Sequence, residues 1–369
     1  MNKKRMKIAV IGAGMIANAA HIPAWKSMST DVEVVGVADI RERSAHETAK
    51  RYDIRHVYSD PQKMLDELQP DIVSVCTPNM YHKEWTIASL KAGAHVLCEK
   101  PITNTYSNAK EMFAVANAMG RTLYTCQSLR FTYAFKAAKD LADAGLLGEI
   151  YYSEISAIRR RGIPTWGFFH IKEHNAGGPI CDLGVHMVDS LFWIIGNPDV
   201  KSVSGSTYTV FGNRDEGLIT SLAESGAPLG VFTPRPYNYH EFNVEDFASG
   251  YIRLENGGTI SIKTSWAVNM ADHFGLVIAG TKGGLQLPPL KVLNNTNRYQ
   301  SEMIPKVPAD RDIPFPGHYL LVENLIKALQ GEEEILVKPE QVLNVIRTIE
   351  GLYRSAEVGR EIFLKEEIM

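Results

Sequence analysis

Short apolar runs alternate with amphipathic stretches through the first third of the chain. Because the runs are apolar at every position, they predict strands buried on both faces, and the stretches between them predict helices. Strands that alternate with helices indicate a parallel sheet covered on both sides, and such sheets bind ligands beyond the carboxyl ends of their strands. The predicted strands are 7–11, 32–38, 71–76, 95–98 and 122–126, and the predicted helices are 15–28, 43–52, 81–92 and 107–119.

The pattern changes after about residue 130, where extended segments follow one another with short turns such as Asn256-Gly257-Gly258. Successive strands joined in this way predict an antiparallel sheet. A sheet with few helices must hide its second face, which predicts a homo-oligomer: a dimer, a tetramer or a higher even state. The predicted strands are 148–158, 200–211, 245–254, 259–268 and 274–279, and the predicted helices are 183–195, 319–329 and 339–358.

The fold class is therefore α/β plus α+β. A length of 369 residues exceeds one ordinary core, so we expect a first domain over 1–128 and a second over 129–369. The closing helices are free to pack on either domain, and the last one is a candidate to return to the first.

Composition narrows the functional class. The residues are 45% hydrophobic and 22% charged, which is usual for a soluble globular protein. A net charge of −3 without a dense basic run argues against nucleic acid as a partner, and no apolar run reaches the ~20 residues of a membrane span. A strand and a glycine loop follow the basic start where a signal peptide would have an apolar stretch, so we expect a cytoplasmic protein.

The four cysteines, Cys76, Cys98, Cys126 and Cys181, form no CxxC pair and no zinc-binding spacing. The first three stand near the ends of predicted strands, where small buried thiols are common. The sequence therefore predicts thiols in the core and no metal site.

A glycine motif, Gly12-Ala13-Gly14-Met15-Ile16-Ala17, follows the first predicted strand and opens a helix. Loops of this kind cradle a pyrophosphate at a helix N-terminus, although an ordinary tight turn is the alternative. Asp39 ends the second strand, where a carboxylate can accept both hydroxyls of a ribose, and this favours NAD. Arg41 and Arg43 follow at once and could bind a 2′-phosphate, so NADP stays open, although solvated arginines at a helix start are the alternative.

Polar segments also end two later strands of the same sheet. Thr77-Pro78-Asn79 ends one of them, because proline cannot continue a central strand. His82 begins the next helix, and it is either a cofactor contact or a packed cap of that helix. Glu99-Lys100-Pro101 ends the other. A dinucleotide fold needs no lysine there, whereas alcohol oxidation needs a cation that favours the alkoxide as hydride leaves.

Asp182 and His186 stand four residues apart at the start of a predicted helix. With Asp182 as the N-cap, both side chains would lie on one helix face. The pair suits a carboxylate that orients an imidazole as the acceptor of the alcohol proton. A structural cap bonded to a buried histidine is the alternative.

Four segments together resemble the glucose–fructose oxidoreductase/inositol dehydrogenase (Gfo/Idh/MocA) family. They occur in that family's order and spacing, and the resemblance continues through GLLGEI, TKGGLQL and GLYRSAEVGREIFL to cover essentially the whole chain. It implies an N-terminal Rossmann domain that binds NAD and a C-terminal substrate-binding and oligomerisation domain with a large open, mostly antiparallel sheet. The four segments are AVIGAGMIANAAHIPAW, VSVCTPNMYH, CEKP and GGPICDLGVHMVDSLFWIIGNP.

The resemblance also implies roles for individual residues. Lys100, Asp182 and His186 become the catalytic set. One departure is the segment 127–131, where Leu129 replaces the first of two adjacent arginines found in many members, and the role of this segment stays open. The implied cofactor contacts are Gly12, Gly14, Met15, Ile16, Asp39, Thr77, Asn79, His82 and Glu99, to which we add Arg41 and Lys100.

The reaction implied by the resemblance is oxidation of a secondary hydroxyl on a sugar, a glycoside or a cyclitol. Arg159-Arg160-Arg161 precedes Trp166, whose ring could stack on the C–H face of a pyranose. Alternation would put Arg160 on the opposite sheet face from its neighbours, and surface or interface arginines are the alternative. The stretch is similar to members that oxidise carbon 3 of glucosides. The expected substrate contacts are Lys100, Arg159, Trp166, Asp182 and His186.

We therefore expect an NAD-dependent dehydrogenase that forms a 3-keto sugar. Inositol dehydrogenase is the nearest rival. An NAD-assisted glycoside-cleaving enzyme, in which oxidation is transient, belongs to a different class. A non-catalytic NADP-dependent sensor is disfavoured, because it would not need Lys100, Asp182 and His186 together.

Overall fold

The computed structural model describes residues 5–215 and 235–369. In these ranges the first unit is built on six strands: β1 Met6–Ile11, β2 Val32–Ala38, β3 His56–Tyr58, β4 Ile72–Val75, β5 His95–Cys98 and β6 Leu123–Thr125. The order is β3-β2-β1-β4-β5-β6, and every neighbouring pair is parallel. The strand order reverses between β1 and β4, and such switch points are where doubly wound folds bind their ligands.

Helices cover both faces of this sheet, as the alternating pattern predicts. A one-turn π-helix at Ala17–His21 precedes the first of them, so the predicted helix 15–28 is two segments. β3 and the helix after it have no counterpart among the elements predicted from the sequence. β3 has only three residues and all are partly exposed, so it carries little apolar pattern. The helices are α1 Ile22–Ser27, α2 Glu42–Tyr52, α3 Pro61–Leu68, α4 His82–Lys91 and α5 Tyr106–Ala118.

The second unit contains a larger sheet. Within the described ranges its strands are β7 Ile150–Ile158, β8 Val200–Tyr208, β9 Phe247–Leu254, β10 Thr259–Ser265, β11 His273–Gly280, β12 Gly284–Leu287, β13 Lys291–Thr296, β14 Tyr299–Met303 and β15 Ile362–Phe363. Their order is β14-β13-β12-β11-β7-β10-β9-β8-β15. The β7–β10 pair is parallel and the other pairs are antiparallel, so the sheet is mixed but mostly antiparallel.

The two faces of the larger sheet differ in burial and polarity. Ile155, Ile252 and Ile262 point into a core that the helices of this unit complete. Glu154 and Lys263 lie on the opposite face, where they form a partly exposed ion pair at 3.0 Å. The helices are α6 Tyr133–Asp143, α7 Lys172–Asn175, α8 Val185–Ile194, α9 Pro316–Leu329, α10 Pro339–Val358 and α11 Leu364–Glu367.

The closing helices connect the two cores. Leu321 and Leu325 of α9 belong to the core of the parallel sheet. Ile346 of α10 packs there too, whereas Ile349 of the same helix packs in the core of the larger sheet. The division of the chain at residue 128 stays a prediction. In the part of the chain described, no helix has both the length and the apolar character needed to cross a bilayer.

Two local expectations were wrong. The helical turn near Asp182 begins at Ile180, so Asp182 lies within a one-turn π-helix, Ile180–Gly184, and is not an N-cap. Strand β7 ends at Ile158, so the alternation expected for Arg159–Arg161 does not apply beyond that residue. Arg161 instead donates to the backbone oxygens of Arg160 and Val268, at 2.7 and 3.0 Å.

Candidate active site

A cleft of about 810 Å³ is lined by residues of both units. The glycine loop and Asp39 line it, and so do Lys100 and His186. The structure thus brings every predicted site residue into one cavity: Gly12, Gly14, Met15, Ile16, Asp39, Arg41, Thr77, Asn79, His82, Glu99, Lys100, Arg159, Trp166, Asp182 and His186.

The glycine loop has the shape that a dinucleotide requires. Gly12 has a φ of +95°, and a Cβ there would lie 2.5 Å from the backbone oxygen of Cys76, so only glycine fits. A Cβ on Gly14 would meet nothing within 4 Å, because this position faces open cleft. Thr77 adds a buried hydroxyl that has no partner among the described residues. These residues fit NAD, since they leave both space and hydrogen-bonding capacity for its phosphates and ribose.

Asp39 is fixed where a ribose would bind. Its two carboxylate oxygens accept the backbone N–H groups of Ala13 and Arg41, each at 2.8 Å. The side chain of Arg41 is about half exposed, with Nε 3.6 Å from Asp39 Oδ1. Arg43 instead pairs with Glu47 at 2.8 Å. A carboxylate held in this way repels a 2′-phosphate, which favours NAD over NADP.

Asn79 and His82 hold the walls of the cleft together. Asn79 Nδ2 donates to the backbone oxygen of Asn175, which joins the two units at 2.9 Å. His82 lies 2.7 Å from the backbone oxygen of Pro101 and 2.9 Å from that of Thr77, through its two ring nitrogens. Burial lowers the pKa of His82, so its imidazole is neutral and donates to only one of these two carbonyls. His82 is thus packed between two strand ends.

Lys100 and Asp182 form an ion pair across the two units. Lys100 Nζ donates to Oδ1 and to the backbone oxygen of Asp182, each at 3.0 Å. Trp266 Nε1 donates to the other carboxylate oxygen of Asp182, also at 3.0 Å. Burial alone would raise the pKa of Asp182, but the charges of Lys100 and Arg159 outweigh it and lower that pKa. Asp182 is thus a fixed anion that orients the ammonium of Lys100.

His186 stands beside this ion pair as a neutral imidazole. Burial, and then the charge of Lys100, lower the pKa of His186 to about 3. Its Nδ1 has no hydrogen-bond partner among the residues described. The four-residue spacing predicts that Asp182 orients His186, but the carboxylate oxygens of Asp182 bind Lys100 and Trp266 instead. His186 is therefore left free to accept a proton from a ligand.

Several residues of the site carry no local signal in the sequence. Trp266 and the turn at Phe315–His318 come from distant segments, and long-range contacts of this kind have no motif. The segment 127–131, whose role the sequence leaves undecided, contains a buried arginine and a leucine that faces the cleft. Arg130 is fully buried and binds both carboxylate oxygens of Asp189, at 2.6 and 2.7 Å, while Leu129 lines the cleft.

An NAD-binding oxidoreductase is the class of protein that this fold and this site define. Residues 6–126 match a family described as "oxidoreductase family, NAD-binding Rossmann fold", and residues 135–286 match the GFO/IDH/MocA C-terminal domain. The chain belongs to the Gfo/Idh/MocA oxidoreductase family. The family resemblance, the fold class and the NAD cofactor expected from the sequence are confirmed.

Relatives of known name match two thirds or more of the chain. The chain is 33% identical to a D-glucoside 3-dehydrogenase of Escherichia coli over 99% of each chain. It is 28% identical to a myo-inositol 2-dehydrogenase of Thermotoga maritima, over 68% of this chain and 75% of that one. Among solved structures, a levoglucosan dehydrogenase in complex with NADH and levoglucosan has a TM-score of 0.80 at 19% identity, over 98% of this chain and 100% of that chain. This last similarity is one of fold.

Proposed function

We propose that the protein is an NAD-dependent dehydrogenase that oxidises a secondary hydroxyl of a glucoside or related sugar, at carbon 3, to a keto sugar. The observation that carries the proposal is the neutral His186 beside the Lys100–Asp182 ion pair, in the cleft that contains the glycine loop. The D-glucoside 3-dehydrogenase of Escherichia coli, matched over 99% of both chains, supports the substrate class.

Lys100 would stabilise the reacting oxygen. An ammonium has three N–H donors, and two of those on Lys100 bind Asp182. The third is available for the substrate hydroxyl, whose oxygen gains negative charge as its proton leaves. Bound NAD supplies the hydride acceptor. Asp182, held by Trp266, keeps the ammonium at this position.

His186 would take the hydroxyl proton. The neutral imidazole is the accepting form, and the low pKa of His186, about 3, keeps it in that form at physiological pH. An imidazole with so low a pKa does not retain the proton, so the proton must move on to solvent through the open cleft. The balance is one secondary alcohol to one ketone, with one hydride and one proton removed.

The second unit would contact the rest of the sugar. Trp166 is 7% exposed and lines the cleft. Phe169 packs against it in an edge-to-face arrangement, with 4.5 Å between the ring centroids. An aromatic ring fixed in this way suits the C–H face of a pyranose. Arg159 also lines the cleft, and its charge acts on Asp182, so it lies at the chemical end.

A substrate screen tests the proposal. Purified protein with NAD is offered alkyl and aryl glucosides, free hexoses and inositols, and NADH formation is followed by its absorbance. We expect glucosides to give the fastest reduction and a 3-keto product by NMR. Faster reduction with inositols would favour a cyclitol dehydrogenase. Release of the aglycone without net NADH would show an NAD-assisted glycoside-cleaving enzyme instead.

Assembly and location also belong to this proposal. The partly exposed face of the larger sheet, which includes Tyr251 and the Glu154–Lys263 ion pair, supports a homo-oligomer. The four cysteines are all buried and unpaired, which suits a reducing compartment such as the cytoplasm.

A further inference from the structure

A buried polar cluster reaches the chemical end of the cleft through Glu99 and His318, and the proposed mechanism does not use it. We call it the Glu99 cluster; it consists of Glu99, His21, Cys126 and His318, all buried. His21 Nε2 lies 2.7 Å from Glu99 Oε1, and the backbone N–H of Lys100 donates to Glu99 Oε2 at 3.1 Å. Glu99 is thus the centre of the cluster and the sequence neighbour of Lys100.

Hydrogen bonds through the core hold His21 as a donor toward Glu99. Trp25 Nε1 donates to Ser74 Oγ at 2.7 Å, and the same Oγ lies 3.2 Å from His21 Nδ1. Since the indole can only donate, the hydroxyl proton of Ser74 is available to Nδ1. His21 then carries its own proton on Nε2, where it faces the carboxylate of Glu99.

Glu99 is therefore an ionised carboxylate at the wall of the cleft. Burial alone would raise the pKa of Glu99, but the hydrogen bond from His21 and the nearby ring of His318 hold that pKa well below its ordinary value. The ammonium of Lys100 is already paired with Asp182. The negative charge of Glu99 is thus solvated by fixed dipoles and stays available to a ligand.

Hydrogen bonding explains the cluster better than a bound metal ion does. Histidine, cysteine and glutamate are all ligands that zinc accepts, with bonds of about 2.1–2.3 Å, so two ligands of a tetrahedral ion lie about 3.4 Å apart. The 2.7 Å between His21 and Glu99 is shorter than that and is an ordinary hydrogen-bond distance.

His318 gives an independent sign that a ligand belongs beside Glu99. It is 5% exposed and lines the cleft, and neither ring nitrogen has a hydrogen-bond partner among the described residues. Its Nε2 stands 3.5 Å from Glu99 Oε1, at ion-pair distance but without hydrogen-bond geometry. Buried polar groups are normally satisfied, so the free capacity of His318 indicates a polar ligand at this wall.

We propose that the charge of Glu99 makes the protein bind NAD⁺ in preference to NADH, by stabilising the cationic nicotinamide ring. The inference rests on the proposed function, which places the nicotinamide end beside Lys100 and hence beside Glu99. The ring of NAD⁺ is positive and that of NADH is neutral, so a nearby buried anion stabilises only the oxidised form. The cluster would thereby favour loading of NAD⁺ and release of NADH, which is the direction of sugar oxidation.

Equilibrium binding of both cofactors to the full-length protein, without any sugar, tests the inference. NADH is titrated by its fluorescence, and NAD⁺ is measured by displacement of NADH. In Glu99→Gln the ratio Kd(NAD⁺)/Kd(NADH) should rise about 10- to 100-fold, as expected when one charge in a partly buried site is removed. Glu99→Asp keeps the charge and should keep the ratio near the parent value, even if both affinities fall.

A matched control makes the same chemical change elsewhere in the cleft. Glu47 lines the cleft near Asp39, where the adenosine end would bind, so Glu47→Gln should leave the ratio unchanged. If Glu99→Gln does not fold, His318→Lys places a cation beside Glu99 and should raise the ratio in the same direction.

An unchanged ratio in a folded Glu99→Gln protein would overturn the inference. So would one equivalent of zinc in the purified protein, because the ion would neutralise the carboxylate. The binding titrations contain no sugar, so their outcome does not depend on the substrate. A failed substrate screen would therefore count against the proposed function alone. An unchanged ratio in a protein that does oxidise sugars would count against this inference alone.

Discussion

Lys100 is the residue on which the proposed chemistry depends most. Lys100→Ala should lower kcat by about 10²–10³, the loss seen when an oxyanion donor is removed. NADH binding should survive, because the glycine loop and Asp39 hold the other end of the cofactor. Single-turnover hydride transfer and NADH fluorescence measure the two effects separately. In the control Lys83→Ala, which removes an ammonium paired with Glu111 at 2.6 Å, both values should stay at the parent level. Hydride transfer at the parent rate in Lys100→Ala would make Lys100 a structural residue.

His186 should show its environment in the pH profile. The pKa of His186, about 3, lies below its ordinary value of 6.5, so the residue keeps its accepting form as the pH falls through 6.5. We therefore expect no break in kcat/KM near that pH. His186→Ala should lower kcat at neutral pH by about 10²–10⁴, the usual loss of an acid–base group. A titration near pH 6.5 that disappears in His186→Ala would contradict this account.

Asp39 should decide the choice of cofactor. Its carboxylate is fixed by two backbone N–H groups and would repel a 2′-phosphate, so kcat/KM should be higher with NAD than with NADP. Asp39→Ser should shift the preference toward NADP by about 10-fold or more, because the repulsion disappears. Adding Arg41→Ala should reverse that gain, since Arg41 is the cation beside the site. A parent protein that prefers NADP would show that Arg41 dominates.

At the scale of elements, the π-helical turn Ile180–Gly184 is fixed from outside by Glu245. Glu245 accepts the backbone N–H groups of Gly178 and Ile180 and the hydroxyl of Tyr353, at 2.9, 3.2 and 2.7 Å. Glu245→Ala leaves these buried donors without an acceptor and should lower the free energy of unfolding by about 3 kcal/mol or more.

Removing only one of these hydrogen bonds should lower the free energy of unfolding by a smaller amount. Tyr353→Phe should lower the free energy of unfolding by about 1 kcal/mol in urea denaturation. In the control Tyr58→Phe, the lost partner is the exposed Glu67 at 2.9 Å, and the change should stay within about 0.5 kcal/mol. If Glu245→Ala unfolded at the parent midpoint, the turn would have to be held by other contacts.

The elements that could be predicted are those whose sequence pattern is local. The bounds of β2, β5 and α10 agree with the apolar pattern, because β2 and β5 are nearly continuous apolar runs and the buried positions of α10 repeat with the period of a helix. β12 has four residues, β13 buries only Val292 and β14 is largely exposed, so they carry little pattern. The bond from Trp266 to Asp182 joins distant segments, and no local signal could reveal it.

At the scale of the whole molecule, the face of the larger sheet opposite its core is partly exposed. Tyr251 is 38% exposed on this face, and the Glu154–Lys263 ion pair lies across neighbouring strands. We predict a homo-oligomer at micromolar concentration, measured by light scattering. Tyr251→Glu should dissociate it by burying a charge in the interface, whereas Tyr133→Glu, on α6, should not. A monomeric parent protein would contradict this prediction.

The packing of α9 bears on whether the nucleotide-binding half can be used as a separate cassette. Leu321, Leu325 and Ile326 complete the apolar core of the parallel sheet, although they follow the larger sheet in the chain. A fragment that stops near residue 128 would expose that surface to water and would be prone to aggregate. Engineering that grafts this half onto another substrate domain must therefore carry α9 with it, as a tethered segment returning from the new partner.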